Sequence, residues 1–281
     1  MPSEPRVLLD GLRFPEGPRW HEERLWFSDM HDGAVLAVDL EGRVERIVEV
    51  PADPSGLGWL PDGRLLVVSM RDRRLLRLDP EGLVEAADLS SVATFHCNDM
   101  VVDAHGRAYV GNFGFDLHGR APLAPAALAL VHPDGRVEVA AKDLLFPNGM
   151  VITPDGRTLV VGESFGARLT AFDVGEDGGL TNRRTWAALA GGATPDGICL
   201  DAEGAIWVAS PTTNEFLRVR EGGAIAARIA VDRSAIACML GGPERRTLFL
   251  CTSRAHAPAE TGAREARIAT VEVDVPGAGR P

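Results

Sequence analysis

The sequence has no long hydrophobic run, little cysteine and a shortage of basic residues. Its first apolar run, Val7 to Leu9, ends at Asp10, and no later stretch approaches about 18 uninterrupted apolar residues, so we expect a cytoplasmic protein without a signal peptide or membrane span. The four cysteines form no C-x-x-C pair, which argues against a thiolate zinc site or a disulfide framework and predicts buried, apolar roles. The net charge of -11 argues against nucleic acid and anionic membranes as partners and favours a small molecule or a metal ion.

A sustained apolar period of 3.6 residues is also absent, so long helices are not expected. Instead, a tight polar turn followed by a short β-rich run occurs six times, as in PDGRLLVVS at 61–69 and AEGAIWVAS at 202–210. The equivalent apolar positions in the six copies are Leu25, Leu65, Ala108, Leu159, Ile206 and Leu248. Successive positions are 40, 43, 51, 47 and 42 residues apart. Repeats of this length are typical of propeller blades.

The segments that flank each repeat complete a blade. One strand precedes each copy and one follows it, and a further strand follows in the first five copies. The sequence therefore predicts an all-β, six-bladed β-propeller with four antiparallel strands per blade, as a single domain over 1–281; a large β-sandwich is the alternative. We expect Arg6 to Leu9 to supply the strand that the last copy lacks, which would close the ring. The predicted blades lie near 14–50, 54–89, 96–141, 146–190, 194–231 and 235–275, the last completed by 6–9.

The residues that lead the first strand of each blade are the candidate site. In a propeller these strands line the central channel, and their leading residues gather at one mouth. Alignment of the six strands gives Glu16, Gly56, Asn98, Asn148, Asp196 and Ala237. Two carboxylates that converge without a Lys or Arg would repel each other, and the two amides beside them would lack hydrogen-bond partners. A bound cation would remove both problems. Oxygen ligands favour one divalent cation, Ca²⁺ first, with Zn²⁺, Mn²⁺ or Mg²⁺ as alternatives.

The same residue pairs have a second interpretation, because Asn-Gly and Asp-Gly are common in β-turns. The PDG triplets at 61–63, 133–135 and 154–156 are interpreted as such turns. They do not lead a first strand, whereas Asn148 and Asp196 do. This difference in register favours the metal interpretation for the second pair.

An ordered series of motifs resembles the gluconolactonase, regucalcin and luciferin-regenerating enzyme family. The motifs are Pro15-Glu16-Gly17-Pro18, Asn98-Asp99, Asn148-Gly149, Pro195-Asp196-Gly197 with Asp201, Gly204 and Trp207, and Leu240-Gly241-Gly242-Pro243. The resemblance implies a six-bladed propeller with one divalent metal in the channel and, as in many members, lactonase activity. It further implies that Glu16, Asn148 and Asp196 bind the metal, that Asn98 contacts substrate or a metal-bound water, and that Asp196 also serves as the base.

Two positions depart from the family pattern. His96 stands where sugar-lactone members often carry a basic residue such as Arg, and Leu240 replaces the usual Phe before the Gly-Gly pair. Strand alternation puts His96 on the same face as Asn98, so a substrate contact and a structural role are both open. The departures weaken the expectation of the usual sugar-lactone specificity.

The loops between the second and third strands should surround the site, because the second strand runs back toward that mouth. They contain several apolar or aromatic residues, including Met30, Met70, Phe113, Phe115 and Phe165, as well as His256. Among the polar residues we expect Asn112 and Asp116 to contact substrate. The insertion at 114–127 is rich in Gly and Pro and is expected to lie over one face as a lid.

The expected reaction is the metal-dependent hydrolysis of a small lactone, in which the cation polarises the carbonyl and water attacks. Asp196 is the candidate base, and a metal-bound hydroxide is the alternative. The chain has no G-x-S-x-G elbow, so a serine mechanism is not supported. The competing functions are hydrolysis of another ester or of a phosphotriester on the same metal, and a non-catalytic metal- or ligand-binding propeller. The oligomeric state is left open.

Overall fold

The architecture is a ring of β-sheets. The structure, a computed structural model, describes residues 4–254 and 264–279. Within them, 24 strands form six four-stranded antiparallel sheets. The first strand of each sheet packs against the first strands of the two neighbouring sheets, and the sixth packs against the first. The predicted six-bladed propeller is therefore confirmed.

The first three blades follow the chain from the channel outward. Blade 1 contains β2 (Pro15–His21), β3 (Arg24–Asp29), β4 (Ala34–Val38) and β5 (Val44–Glu49). Blade 2 contains β6 (Pro54–Trp59), β7 (Leu65–Ser69), β8 (Arg74–Asp79) and β9 (Gly82–Asp88). Blade 3 contains β10 (Cys97–Val102), β11 (Ala108–Asn112), β12 (Ala126–Val131) and β13 (Val137–Leu144).

The remaining blades repeat this order until the last. Blade 4 contains β14 (Pro147–Ile152), β15 (Thr158–Glu163), β16 (Arg168–Val174) and β17 (Leu180–Ala188). Blade 5 contains β18 (Ile198–Leu200), β19 (Ile206–Ser210), β20 (Glu215–Val219) and β21 (Ile225–Ala230). Blade 6 contains β22 (Ser234–Gly241), β23 (Thr247–Ser253), β24 (Ala266–Glu272) and β1 (Arg6–Leu12).

Helical structure is confined to two 3₁₀ turns in the part of the chain that the structure describes. They span Met30–Asp32 and Ser164–Gly166, and each connects the second strand of its blade to the third. No helix of the described residues is long and apolar enough to cross a membrane.

The repeated polar turns are held by their own aspartates. In the three PDG turns, the carboxylate of Asp62, Asp134 or Asp155 accepts a hydrogen bond from the backbone N–H two residues later, at 3.0 to 3.1 Å. An aspartate that bonds its own backbone in this way favours a tight turn. The interpretation of these triplets as turns is therefore confirmed.

The core lies in the seams between neighbouring blades. Tyr109 of blade 3 and Leu159 of blade 4 belong to one buried cluster, and the Tyr109 hydroxyl donates a hydrogen bond to the carbonyl oxygen of Gly178 at 2.8 Å. As predicted, the four cysteines are free and buried; they are Cys97, Cys199, Cys238 and Cys251. Burial in these seams joins the blades into a continuous ring.

The two ends of the chain meet in blade 6. β1 pairs antiparallel with β24, Arg6 opposite Thr270 and Leu12 opposite Ala266. The prediction that an N-terminal strand closes the last blade is confirmed, but the strand continues past Leu9. Leu12 is buried in a cluster that blades 5, 6 and 1 share, and this burial holds the end of the strand in place.

Removal of residues 1–12 is expected to lower the free energy of unfolding by about 3 kcal/mol or more, because Leu8, Leu9 and Leu12 lose buried apolar contacts. It would also expose the edge of β24 and promote self-association. Urea unfolding and size-exclusion chromatography measure these two effects. A matched truncation that ends before Arg6 removes no paired residue and is the control; equal stability of the two truncations would contradict the role of β1.

Candidate metal and substrate site

Irregular strand pairing occurs at the channel mouth beside three of the four candidate side chains. The register shifts directly after Glu16 in β2, and within the segment that holds Asn98 in β10 or Asn148 in β14. Such bulges re-aim a side chain away from the regular pleat. Asp196 lies just before β18, where its N–H donates to the carbonyl oxygen of Ala209 at 2.9 Å. All four side chains line one cavity.

Glycines directly after three of these residues, Glu16, Asn148 and Asp196, let the inner strands approach closely. A β-carbon on Gly149 would lie 2.6 Å from the carbonyl oxygen of Asp196 and 2.6 Å from the nitrogen of Ile198. No side chain fits there unless the strands separate. The Asn148-Gly149 pair therefore serves close strand packing in the channel instead of a turn.

Asn148 and Asp196 interact directly. The Asn148 amide nitrogen donates to Oδ1 of Asp196 at 2.5 Å and to Oγ of Ser164 at 3.2 Å. The amide oxygen of Asn148 and the amide nitrogen of Asn98 are buried without a hydrogen-bond partner. Buried polar atoms without a partner are costly, so this site has free capacity for a ligand.

The surroundings of both carboxyl groups of the site disfavour the ionised form. Burial raises the pKa of Asp196 to about 8; the hydrogen bond from Asn148 acts against this shift and the Asp99 charge adds to it. Burial also raises the pKa of Glu16 well above its ordinary value, and the charges of Asp196 and Asp99 add to the shift. A nearby cation would reverse these effects because it favours both carboxylates.

The donor set fits a hard divalent cation held by few charged ligands. Within residues 4–254 and 264–279, no three His, Cys, Asp or Glu side chains come together as metal ligands. Glu16 and Asp196 supply two carboxylates, and the free amide oxygen of Asn148 supplies a third oxygen atom. Ca²⁺, Mg²⁺ and Mn²⁺ accept such mixed oxygen sets and complete them with water.

Asp99 is engaged next to this set. Its Oδ1 accepts hydrogen bonds from the Arg19 guanidinium at 2.8 Å and from the Met100 N–H at 2.8 Å. Arg19 also donates to the carbonyl oxygen of Pro18 at 2.9 Å. Asp99 and Arg19 are both buried, and the pair links β2 of blade 1 to β10 of blade 3.

The structure does not bring Asn112 and Asp116 to the cavity. The Asn112 amide donates to the carbonyl oxygen of Ala127 at 2.6 Å and accepts from the Gly114 N–H at 3.0 Å, so it ties the two ends of the 114–127 loop together. Asp116 accepts from the Gly119 N–H at 2.7 Å within that loop. Both side chains are therefore engaged in hydrogen bonds with backbone groups of the loop.

His96, in contrast, lines the cavity together with Asn98. Its ring stacks on Phe95 at a centroid distance of 4.1 Å and lies 5.9 Å from the ring of Phe113. Burial lowers the pKa of His96, so the imidazole is neutral near pH 7. It can offer substrate an uncharged donor or acceptor and a flat apolar face.

The cavity has a volume of about 370 Å³ and a polar floor beneath apolar walls. Leu117 and His118 of the 114–127 loop line it, so this loop lies at its mouth. His256, expected at the rim, lies outside the described residues. A second cavity of about 540 Å³, lined by Arg107 and Thr153 among others, contains none of the four candidate residues.

Two phenylalanines of the cavity walls were missed by the sequence analysis. Phe14 and Phe146 line the cavity from just before β2 and β14. Both stand before a Pro that precedes a candidate ligand, in Phe14-Pro15-Glu16 and Phe146-Pro147-Asn148. This repeated Phe-Pro pair is the sequence signal from which the two wall residues could have been predicted.

Comparison with known proteins places the chain among proteins of similar fold and sequence. Residues 14–254 match the SMP-30/Gluconolactonase/LRE-like region. A regucalcin of Danio rerio is 27% identical over 92% of this chain and 89% of its own length. A 6-deoxy-6-sulfogluconolactonase of Pseudomonas putida is 26% identical over 95% of this chain and 93% of its own length. A calcium-binding regucalcin of Agrobacterium tumefaciens, with 23% identity, superimposes with a TM-score of 0.80 over 98% of this chain and 95% of that one.

Proposed function

Since the chain belongs to the SMP-30/gluconolactonase/LRE-like family, we propose that it is a divalent-metal-dependent hydrolase that opens the ring of a small lactone. One observation carries the proposal: two buried carboxyl groups and two under-bonded amides share the floor of a cavity of small-molecule size. Such a cavity, with apolar walls and a few convergent polar groups, is typical of ligand sites. The names of the sulfogluconolactonase and of the calcium-binding regucalcin agree with a lactone and a divalent cation.

The cation would be held by Glu16, Asn148 and Asp196, and when bound it supplies a Lewis acid for the lactone carbonyl. Asp196 accepts a proton from the attacking water, and the Asn98 amide donates a hydrogen bond to the substrate. Water adds its oxygen to the carbonyl carbon, the ring C–O bond breaks, and the ring oxygen takes the proton held by Asp196 and leaves as the hydroxyl of a hydroxy acid. The apolar walls limit access of other water to the reacting ester.

Metal removal tests the proposal. Protein stripped of metal is expected to lose proton release on five- and six-membered lactones, and addition of Ca²⁺, Mg²⁺, Mn²⁺ or Zn²⁺ singly should restore it with at least one ion. Calorimetric titration of the same ions reports binding separately. Metal binding without turnover of any lactone would contradict the proposal and favour another ester or a binding role.

A further inference from the structure

The cavity walls are rich in aromatic side chains. The rings of Phe113 and Phe146 have centroids 4.5 Å apart, and those of Phe146 and Phe165 are 5.3 Å apart. Met30 and Met70 line the same cavity. Phe165 is 48% exposed, although its neighbours are buried. An exposed aromatic ring at the edge of a cavity gains apolar contact only when a ligand covers it.

The hydroxyl groups of the walls are already bonded to protein. Ser164 donates to the carbonyl oxygen of Pro195 at 2.7 Å, and Thr212 donates to that of Gly192 at 2.7 Å. Thr194 lies 3.0 Å from the Thr212 hydroxyl, which leaves Thr194 as the donor in that pair. A sugar lactone in this cavity would have to bury several hydroxyls beside walls with few open partners, which is costly.

The described walls hold a single Arg or Lys side chain, and protein groups already engage it. Arg71, the one Arg or Lys side chain among the described lining residues, is bound to Asp53 at 2.9 Å and to the carbonyl oxygen of Pro51 at 2.7 Å. Burial lowers the pKa of His31 to about 4, so that imidazole is neutral near pH 7. The described walls therefore offer a negatively charged substituent no free Arg or Lys partner.

We infer that the substrate is an uncharged lactone with a flat apolar or aromatic substituent, which packs against Phe113, Phe146 and Phe165 while the ester group reaches the polar floor. The inference rests on the proposed lactonase function and names its substrate class. It is consistent with His96 at the position where a basic residue is expected for sugar lactones, since a neutral ring offers less to a polyol.

Three six-membered lactones test the inference with the reacting ring held constant: δ-valerolactone, its phenyl-substituted derivative, and D-glucono-1,5-lactone. With metal-loaded protein, kcat/KM for the phenyl compound is expected to exceed that for δ-valerolactone by about a hundredfold, because the phenyl group buries apolar area. The gluconolactone should be the poorest of the three.

The variant Phe165→Ser is expected to reduce the ratio of phenyl to unsubstituted kcat/KM by about tenfold. Because this ring is half exposed, the thermal midpoint should hardly change. The control is Val139→Ser, which removes a similarly exposed apolar side chain from β13 outside the cavity and should leave the ratio unchanged. Turnover of all three lactones without preference for the phenyl compound overturns the inference alone. Absence of turnover with every lactone overturns the proposed function as well.

Discussion

The variant Asp196→Asn is expected to lower kcat/KM for the preferred lactone by about a thousandfold or more. The substitution keeps the size of the side chain and its place beside Asn148, but it removes one of two carboxylates from the floor. Under the proposed mechanism it replaces a charged oxygen ligand with a neutral one and removes the group that accepts the proton from water. The assay is proton release under saturating metal.

Calorimetric metal titration of the same variant separates the two roles. Weaker metal binding with partial recovery at high metal concentration indicates a ligand, whereas unchanged binding with low kcat indicates the base. The matched control is Asp53→Asn, because Asp53 is a cavity carboxylate engaged by Arg71, and its backbone φ of 65° suits Asn. A loss no larger than in this control would contradict the assignment of Asp196.

Arg19→Met is expected to lower the free energy of unfolding by about 3–5 kcal/mol. The replacement fills much of the volume but leaves the buried carboxylate of Asp99 without its guanidinium partner, which now lies at 2.8 Å. A buried charge that loses its partner is much more costly than the pair is favourable. Urea unfolding measures the loss.

The double variant Arg19→Met with Asp99→Leu should recover part of this stability, because no uncompensated charge remains. Arg43→Met is the surface control: its pair with Asp39 is solvent-exposed, so the free energy of unfolding should be nearly unchanged. Equal stability of the Arg19 and Arg43 variants would show that Asp99 does not need its partner.

The fold could be predicted because its signals are local and repeated. Each PDG turn has an aspartate that bonds its own backbone, and each turn leads directly into a β-strand. The missing strand of the sixth repeat pointed to the N-terminus, and β1 occupies that place. Local patterns suffice to predict the fold because every blade repeats the same four-stranded arrangement.

The floor of the site could be predicted for a related reason: equivalent positions of a repeat meet at the axis of a ring. Glu16, Asn98, Asn148 and Asp196 line one cavity as the alignment suggested. What they bind remains a prediction.

The walls and loop contacts were harder to predict because they depend on tertiary contacts between blades. The role of Asn112 is set by the path of the 114–127 loop, whose return brings the carbonyl oxygen of Ala127 within 2.6 Å. No spacing in the sequence encodes that return. Phe146 itself has a backbone φ of 61°. Phenylalanine rarely adopts this conformation, so local propensity does not indicate that its side chain reaches the cavity.

The pairing of β1 with β24 also dictates the order of folding. The first strand of the chain finds its partner only after nearly every other residue has been synthesised, since Val7 lies opposite Ala269. Blades 1 to 5 can form their own hairpins early, because each of those blades is continuous in sequence. Closure of the ring of blades is then a late, long-range step. Until it occurs, the nascent chain exposes the unpaired β1 and the open edge of β24 to the cell's chaperones and proteases. A circular permutant that joins β1 directly to β24 and begins at blade 1 would turn this slow closure into the formation of one more local hairpin.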